Sequence, residues 1–224
     1  MPWSATSRWR GRPSTLLVLV SGLWAFGTGE ALLVASHLGN TPWTVLAQGV
    51  SRHSPLSIGA ATLAISAAVL LGWWPLRETP GLGTIANAVV IAVAIDVMLA
   101  VLPAPSGVPG RLAEVVAAIA CIGAGSGLYL TTWLGPGPRD GWMTGIARRT
   151  GWPIAAVRLS LELVVLVAGY LLGGRVGVGT VVFALTIGYA VTASMRLLTR
   201  AVGGRATSAP APVVEAAAIA DLPN

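Results

Sequence analysis

Six long apolar stretches limit what this chain can fold into. They lie at 16–36, 56–76, 82–102, 112–134, 153–172 and 176–198. A helix of about 20 residues crosses roughly 30 Å of hydrocarbon, so each stretch is long enough to span a bilayer. Apolar residues make up 54% of the 224 residues and charged residues only 10%, which excludes a soluble, disordered or disulfide-stapled protein. The stretches lack the alternating polarity of barrel strands, so we predict an all-α membrane protein with six transmembrane helices in contact with the lipid bilayer.

The arginines predict the orientation of these helices. All 14 basic residues are arginine, and the cytoplasmic side of a membrane protein carries the excess of such residues. The loops on the N-terminal side contain ten of them: Arg8, Arg10, Arg12, Arg77, Arg139, Arg148, Arg149, Arg196, Arg200 and Arg205. The opposite loops contain only Arg52, Arg111 and Arg175. Both termini are therefore expected in the cytoplasm, and the positive charge is assigned to topology rather than to a nucleic-acid partner.

The chain also matches itself at a fixed offset of 96 residues. The matching positions are Gly27 and Gly29 with Gly123 and Gly125, Leu38, Gly39 and Pro42 with Leu134, Gly135 and Pro138, and Gly81, Gly83 and Thr84 with Gly177, Gly179 and Thr180. The halves, 15–103 and 111–200, contain three spans each, an odd number, so the second half must be inverted relative to the first. We predict two inverted three-helix repeats, an architecture common among secondary transporters. A duplicated bundle with a purely structural role remains the alternative.

The segments outside the repeats are a cytoplasmic N-terminal segment, 1–14, and a small, polar, proline-containing tail, 201–224, which is expected to be disordered and cytoplasmic. The arginines before the first apolar stretch also suit a signal peptide. Glu30 is unusual for the core of such a peptide, so an uncleaved first helix is the preferred interpretation.

A short polar segment separates the first two spans of each half, at 39–53 and 135–149. Thr41 is a favourable N-cap residue and Pro42 suits the first helical position. Each segment is therefore predicted to form a helix of about three turns. Such a helix either lies flat in the membrane interface or dips inward and presents its N-terminal amides to an anion.

Ionisable residues within the spans are candidates for a functional site, because each costs at least about 2.5 kcal/mol at the centre of a bilayer. Glu30 has no basic neighbour in sequence, which makes it the candidate carrier of a coupling proton. Arg158 and Glu162 are four residues apart on one helical face and are able to pair, either in a site or as a structural ion pair. Asp96 lies inside the third span, closer to its outer end. The two histidines have no partners at zinc spacing, so neither a metal nor another cofactor is expected.

The second half carries a resemblance to a known family. The run Gly135-Pro-Gly-Pro-Arg-Asp-Gly-Trp-Met143, followed by Val157-Arg158 and Glu162, resembles the YitT/YczE group of bacterial integral membrane proteins. It is closer to the YczE side, because no large C-terminal soluble domain follows. The resemblance implies a multi-pass protein of the bacterial plasma (inner) membrane and directs attention to Arg139, Asp140, Arg158 and Glu162. It implies no substrate.

The function predicted from these features is transport or export of a small molecule by alternating access. The expected cavity is at the membrane midplane, lined by Glu30, Arg158 and Glu162, with Arg139 and Asp140 at its cytoplasmic mouth. Arginines and helix amides favour an anionic or zwitterionic solute. The alternative is a membrane scaffold or accessory subunit that transports nothing, and a homo-oligomer or membrane partner is compatible with either. No nucleophile with a matching base is evident, so an enzyme is not expected.

Overall fold

The computed structural model describes residues 1–103 and 105–202. The predicted disordered tail, 201–224, therefore lies almost wholly outside the described residues. The helices are α1 (Pro13–Ser36), α2 (Pro42–Arg52), α3 (Ile58–Leu71), α4 (Trp73–Leu76), α5 (Leu82–Val101), α6 (Gly107–Leu130), α7 (Pro138–Thr150), α8 (Ile154–Leu171) and α9 (Val178–Ala201).

Among the described residues, six helical segments are long and apolar enough to cross a membrane, namely α1, α3 with α4, α5, α6, α8 and α9. The prediction of six apolar spans is thus confirmed. Helix α6 starts at Gly107, earlier than the predicted 112, because Pro109 falls in its first turn. A proline is tolerated there, since the first N–H groups of a helix have no partner within the helix.

The second span is interrupted between α3 and α4. Leu71 ends α3 and Trp73 begins α4. Pro75 lacks an N–H group, so the carbonyl of Leu71 loses its normal partner four residues later, and the proline ring crowds that carbonyl. The sequence contained this proline, but the apolar run around it predicted one continuous helix.

Both short helices are present, as predicted. Thr41 is the N-cap of α2, where its hydroxyl accepts a hydrogen bond from the Thr44 N–H at 3.4 Å, and Pro42 is the first residue of the helix. Helix α2 packs against α3 and α8, and α7 packs against α3, α4 and α8. Most of α2 is buried, so it lies among the longer helices rather than on the surface of the described chain.

Helix α1 forms the centre of the bundle and packs against α5 and α6, and α6 also packs against α9. Glycines allow α1 and α6 to approach at the level of their backbones. A Cβ atom on Gly125 would lie 2.4 Å from the Gly22 carbonyl oxygen, and one on Gly22 would lie 2.9 Å from that of Gly125. Both distances are too short for a side chain, so this helix contact requires glycine at the crossing.

One contact between the halves occurs twice, at positions that differ by 96 residues. The Gly83 N–H donates to the Leu134 carbonyl at 2.8 Å, and the Gly179 N–H donates to the Leu38 carbonyl at 2.9 Å. The loops that present these carbonyls share their backbone geometry, with φ of 120° at Gly39 and 119° at Gly135. Each half therefore anchors the loop after its own first helix to the last helix of the other half.

The halves differ in how their outer helices pack. Helix α3 packs along α5, whereas α8 makes little contact with α9 within the described chain. Only Val157 and Gly169 of α8 are buried, and only Gly179, Thr180 and Ile187 of α9. The second half is consequently more open than the first.

Candidate functional site

The carboxylate of Glu30 lies at the N-terminus of α2. Its side chain is only 1% exposed, and its Oε2 accepts hydrogen bonds from Thr44 Oγ1 at 2.6 Å and from Thr41 Oγ1 at 3.0 Å. Thr41 Oγ1 also lies 3.2 Å from Oε1. A negative group is stabilised at this end of a helix by the unpaired amides and the helix dipole. The cap of α2 and the buried acid therefore form one hydrogen-bonded unit.

A second carboxylate lies at the N-terminus of α7. Asp140 Oδ2 accepts hydrogen bonds from the Gly137 N–H at 3.1 Å and from the Tyr129 hydroxyl, also at 3.1 Å. Asp140 is three residues after the N-cap, the position from which a side chain reaches back to the cap amide. Each short helix thus has an acid at its N-terminus, but α2 receives it from α1 whereas α7 supplies its own.

The first turns of the two short helices meet through Trp43 and Arg139. The guanidinium carbon of Arg139 lies 5.2 Å from the centroid of the Trp43 ring, within the range of a cation–π interaction. These two residues are 96 positions apart, so the contact joins equivalent positions of α2 and α7. The junction of the two N-termini is therefore filled by one aromatic ring and one cation.

Three acidic side chains act electrostatically on this cation. Burial lowers the pKa of the Arg139 guanidinium, and the negative charges of Glu30, Asp140 and Glu162 act in the opposite direction. An arginine stays protonated in proteins, so Arg139 provides a fixed positive charge. Neither Glu30 nor Asp140 forms an ion pair with it within 4.0 Å; the ion pairs among the described residues are Arg148 with Glu78 and Arg158 with Glu162.

A small cavity opens beside this junction. Its volume is about 10 Å³, close to the smallest space that holds a water molecule. The lining comprises Trp43, Thr62, Ile65, Ser66, Val69, Pro138 and Arg139. Two of these lining residues, Thr62 and Ser66 of α3, lie 96 positions before Arg158 and Glu162 of α8. The cavity is therefore lined by the α3 residues that correspond to the charged pair of α8. Within the described residues, no three metal-ligating side chains are grouped.

Arg158 and Glu162 pair with each other, as predicted. The Arg158 Nε lies 3.0 Å from Glu162 Oε1, and the two side chains are 53% and 30% exposed. Neither residue lines the cavity. The Arg158–Glu162 pair is linked to the junction of α2 and α7 through the negative charge of Glu162, which acts electrostatically on Arg139.

Asp96 lies at another helix end. Its Oδ1 accepts a hydrogen bond from the Gly59 N–H at 2.8 Å, and its Oδ2 accepts one from the Ser57 hydroxyl. Ser57 is the N-cap of α3, so Asp96 tethers α5 to the start of α3. The structure does not place this carboxylate in the cavity lining.

Comparison with known proteins identifies the family. The model of a family of unknown function, DUF6198, matches residues 13–196. The chain belongs to this family. An uncharacterized protein of Haemophilus influenzae is 43% identical over 198 residues, which cover 88% of this chain and 91% of the relative. The uncharacterized membrane protein YczE of Bacillus subtilis is 33% identical over 204 residues, covering 88% and 92%. No solved structure matches.

The DUF6198 match and the similarity to YczE confirm the resemblance noted in the sequence. The YczE match and the six long apolar helices confirm the assignment as a membrane protein. Sequence reasoning selected Glu30, Arg139 and Asp140, which the structure brings to the junction of α2 and α7. It considered Thr41 only as a cap and did not single out Trp43. The repeat offset places Trp43 and Arg139 at equivalent positions of the two halves, and the structure shows that they meet.

Proposed function

We propose that this DUF6198 protein is a small-molecule transporter of the bacterial inner membrane that works by alternating access. The proposal rests most directly on the junction of α2 and α7, where a cavity with a fixed cation lies between short helices from the two halves. Discontinuous helices that present their N-termini to a central site are a recurring feature of secondary transporters. Glu30 and Asp140 occupy the two N-termini here, and the Arg139 guanidinium is the group that favours an anionic or zwitterionic solute.

We propose further that residues 15–103 and 111–200 are inverted repeats with both termini in the cytoplasm. The duplicated contacts of Gly83 with Leu134 and of Gly179 with Leu38 support this arrangement. It would place α2 in the outer half of the membrane and α7 in the inner half, with their first turns near the midplane. Rocking of one half against the other would then open the cavity to each side alternately.

Glu30 is proposed as the carrier of a coupling proton. Its carboxylate is buried and contacts hydroxyl groups rather than a basic side chain. Protonation would remove a negative charge near Arg139 and so favour an incoming anion at that cation. Transport is proposed rather than catalysis, because the residues that line the described cavity include neither histidine nor cysteine.

Flux into proteoliposomes tests the proposal. The full-length protein would be reconstituted and supplied with radiolabelled short carboxylates and amino acids, with and without a proton gradient. We expect gradient-dependent uptake of at least one solute and its loss in Glu30→Gln. Glu78→Gln is the matched control, because Glu78 pairs with Arg148 away from the cavity. Absence of flux for every solute, or full gradient dependence in Glu30→Gln, would contradict the proposal.

A scaffold or accessory subunit is the second candidate function. The observation in its favour is the Arg158–Glu162 pair, which is substantially exposed on a helix with the composition of a membrane span. Exposed charges in a bilayer normally face water or a partner. A second copy or another membrane protein covering α8 would satisfy this requirement. Purification in mild detergent followed by mass measurement tests it, since a transporter acting alone predicts no stoichiometric partner protein.

A further inference from the structure

The indole N–H of Trp43 is a buried donor without a partner in the described part of the chain, on a residue that lines the cavity. Trp43 is 8% exposed and lines the cavity, and its Nε1 is buried without a hydrogen-bond partner among the described residues. Two other tryptophans at the short helices are satisfied: Trp73 Nε1 donates to the Pro138 carbonyl at 2.9 Å and Trp142 Nε1 to the Val69 carbonyl at 2.7 Å. A buried donor left unpaired costs about 1–3 kcal/mol, so Trp43 Nε1 calls for an acceptor within the cavity.

The other groups around this donor also favour a negatively charged acceptor. Arg139 presents a guanidinium, which has five N–H donors and no acceptor. The positive dipole ends of α2 and α7 are already occupied by Glu30 and Asp140. The Thr62 hydroxyl uses its proton on the Ile58 carbonyl at 2.8 Å. An oxygen acceptor therefore fits the donor set of the cavity better than a hydrogen-bond donor or a cation.

The acids that act on Arg139 disfavour a doubly charged anion. The negative charges of Glu30, Asp140 and Glu162 influence Arg139 electrostatically, and Arg158 is already paired with Glu162. A doubly charged phosphate would be repelled more strongly by these acids than a monovalent anion.

The size and walls of the site restrict the solute further. The cavity volume of about 10 Å³ admits about one water-sized group, so a single oxygen atom of a solute enters and the rest of the solute lies at the mouth. Ile65 and Val69 provide apolar walls beside the polar groups. We propose that this cavity binds one carboxylate oxygen of a small monocarboxylic solute between Trp43 Nε1 and the Arg139 guanidinium. This inference deepens the proposed transport function and rests on it.

Binding of radiolabelled butyrate to the full-length protein in nanodiscs tests the inference. Trp43→Phe keeps an aromatic ring for Arg139 but removes the N–H. A hydrogen bond to a charged group contributes about 1.5–3 kcal/mol, so we expect butyrate affinity to fall at least about tenfold. Trp74→Phe is the control, because Trp74 is 90% exposed. Arg139→Lys retains the charge but loses the forked donors, and we expect it to weaken binding as well.

The possible results separate the carboxylate site from the transport function. Unchanged butyrate affinity in Trp43→Phe and Arg139→Lys, or no butyrate binding to the unaltered protein, would overturn the inference. Binding of chloride or inorganic phosphate that butyrate does not displace would also overturn it. Butyrate binding that depends on Trp43, without flux in proteoliposomes, would support the site and contradict transport. Flux that persists unchanged in Trp43→Phe would support transport and contradict the site.

Discussion

The hydrogen bond between Thr44 and Glu30 should make an unusually large contribution to stability. At 2.6 Å between Thr44 Oγ1 and Glu30 Oε2, it has the length of a charge-assisted bond, and such bonds contribute about 1.5–3 kcal/mol. Hydrogen bonds between membrane helices contribute only about 0.6 kcal/mol on average. The burial of Glu30 excludes bulk water from this bond, so we expect the larger value.

A double-mutant cycle measures this contribution. Thr44→Val and Glu30→Leu each remove one partner while preserving much of the side-chain volume, and the cycle isolates their coupling. We predict a coupling free energy of at least about 1.5 kcal/mol from reversible unfolding in mixed micelles, followed by circular dichroism.

Thr62 provides the matched control cycle. It is buried like Thr44, but its hydroxyl donates to the Ile58 carbonyl. Thr62→Val combined with Glu30→Leu should therefore be additive within about 0.5 kcal/mol. A Thr44–Glu30 coupling no larger than about 0.6 kcal/mol, the ordinary value for membrane helices, would refute the reasoning that a charged acid is held by the cap of α2.

Two further predictions concern the fold. Gly125→Ala should destabilise the protein by about 1–3 kcal/mol, because its Cβ would lie 2.4 Å from the Gly22 carbonyl. Gly188→Ala, where a Cβ would meet nothing within 4 Å, should instead stabilise α9 by up to about 1 kcal/mol; thermal unfolding of the pair tests this, and equal melting temperatures would contradict it. Asp96→Ala should cost about 0.5–2 kcal/mol by weakening the cap at Gly59 while leaving butyrate binding unchanged. A loss of butyrate binding in Asp96→Ala would argue for a direct role in the site.

The fold was largely predictable because its strongest constraint is local. A span requires a long apolar run, and such runs are visible in hydropathy alone. The N-terminus of α2 was predictable from Thr41 and Pro42, since capping depends on neighbouring residues. The break before Trp73 was not predicted, because a single proline competes with a strong apolar run and tertiary packing decides the outcome.

The candidate site was only partly predictable because its contacts depend on helix rotation and docking. Glu30 was identifiable as a charge unsuited to lipid and Arg139 through the resemblance to the YitT/YczE group, but their partners are set by the packing of α2 and α7. Arg158 was expected beside the cavity, whereas the structure pairs it with Glu162 on a partly exposed face of α8. The cap role of Asp96 could not be predicted from the sequence either, because its hydrogen-bond donor, the Gly59 N–H, lies 37 residues earlier in the chain.

Labelling of two equivalent positions tests the central claim of inverted halves most directly. Arg52 ends α2, and Arg148 lies in the last turn of α7, exactly 96 residues later. Both are exposed, and each would be replaced singly by cysteine in a Cys121→Ser background. The inverted arrangement predicts that a membrane-impermeant thiol reagent added to intact cells labels Arg52→Cys, while Arg148→Cys reacts only after the membrane is opened. Labelling of both positions from the same side would contradict it.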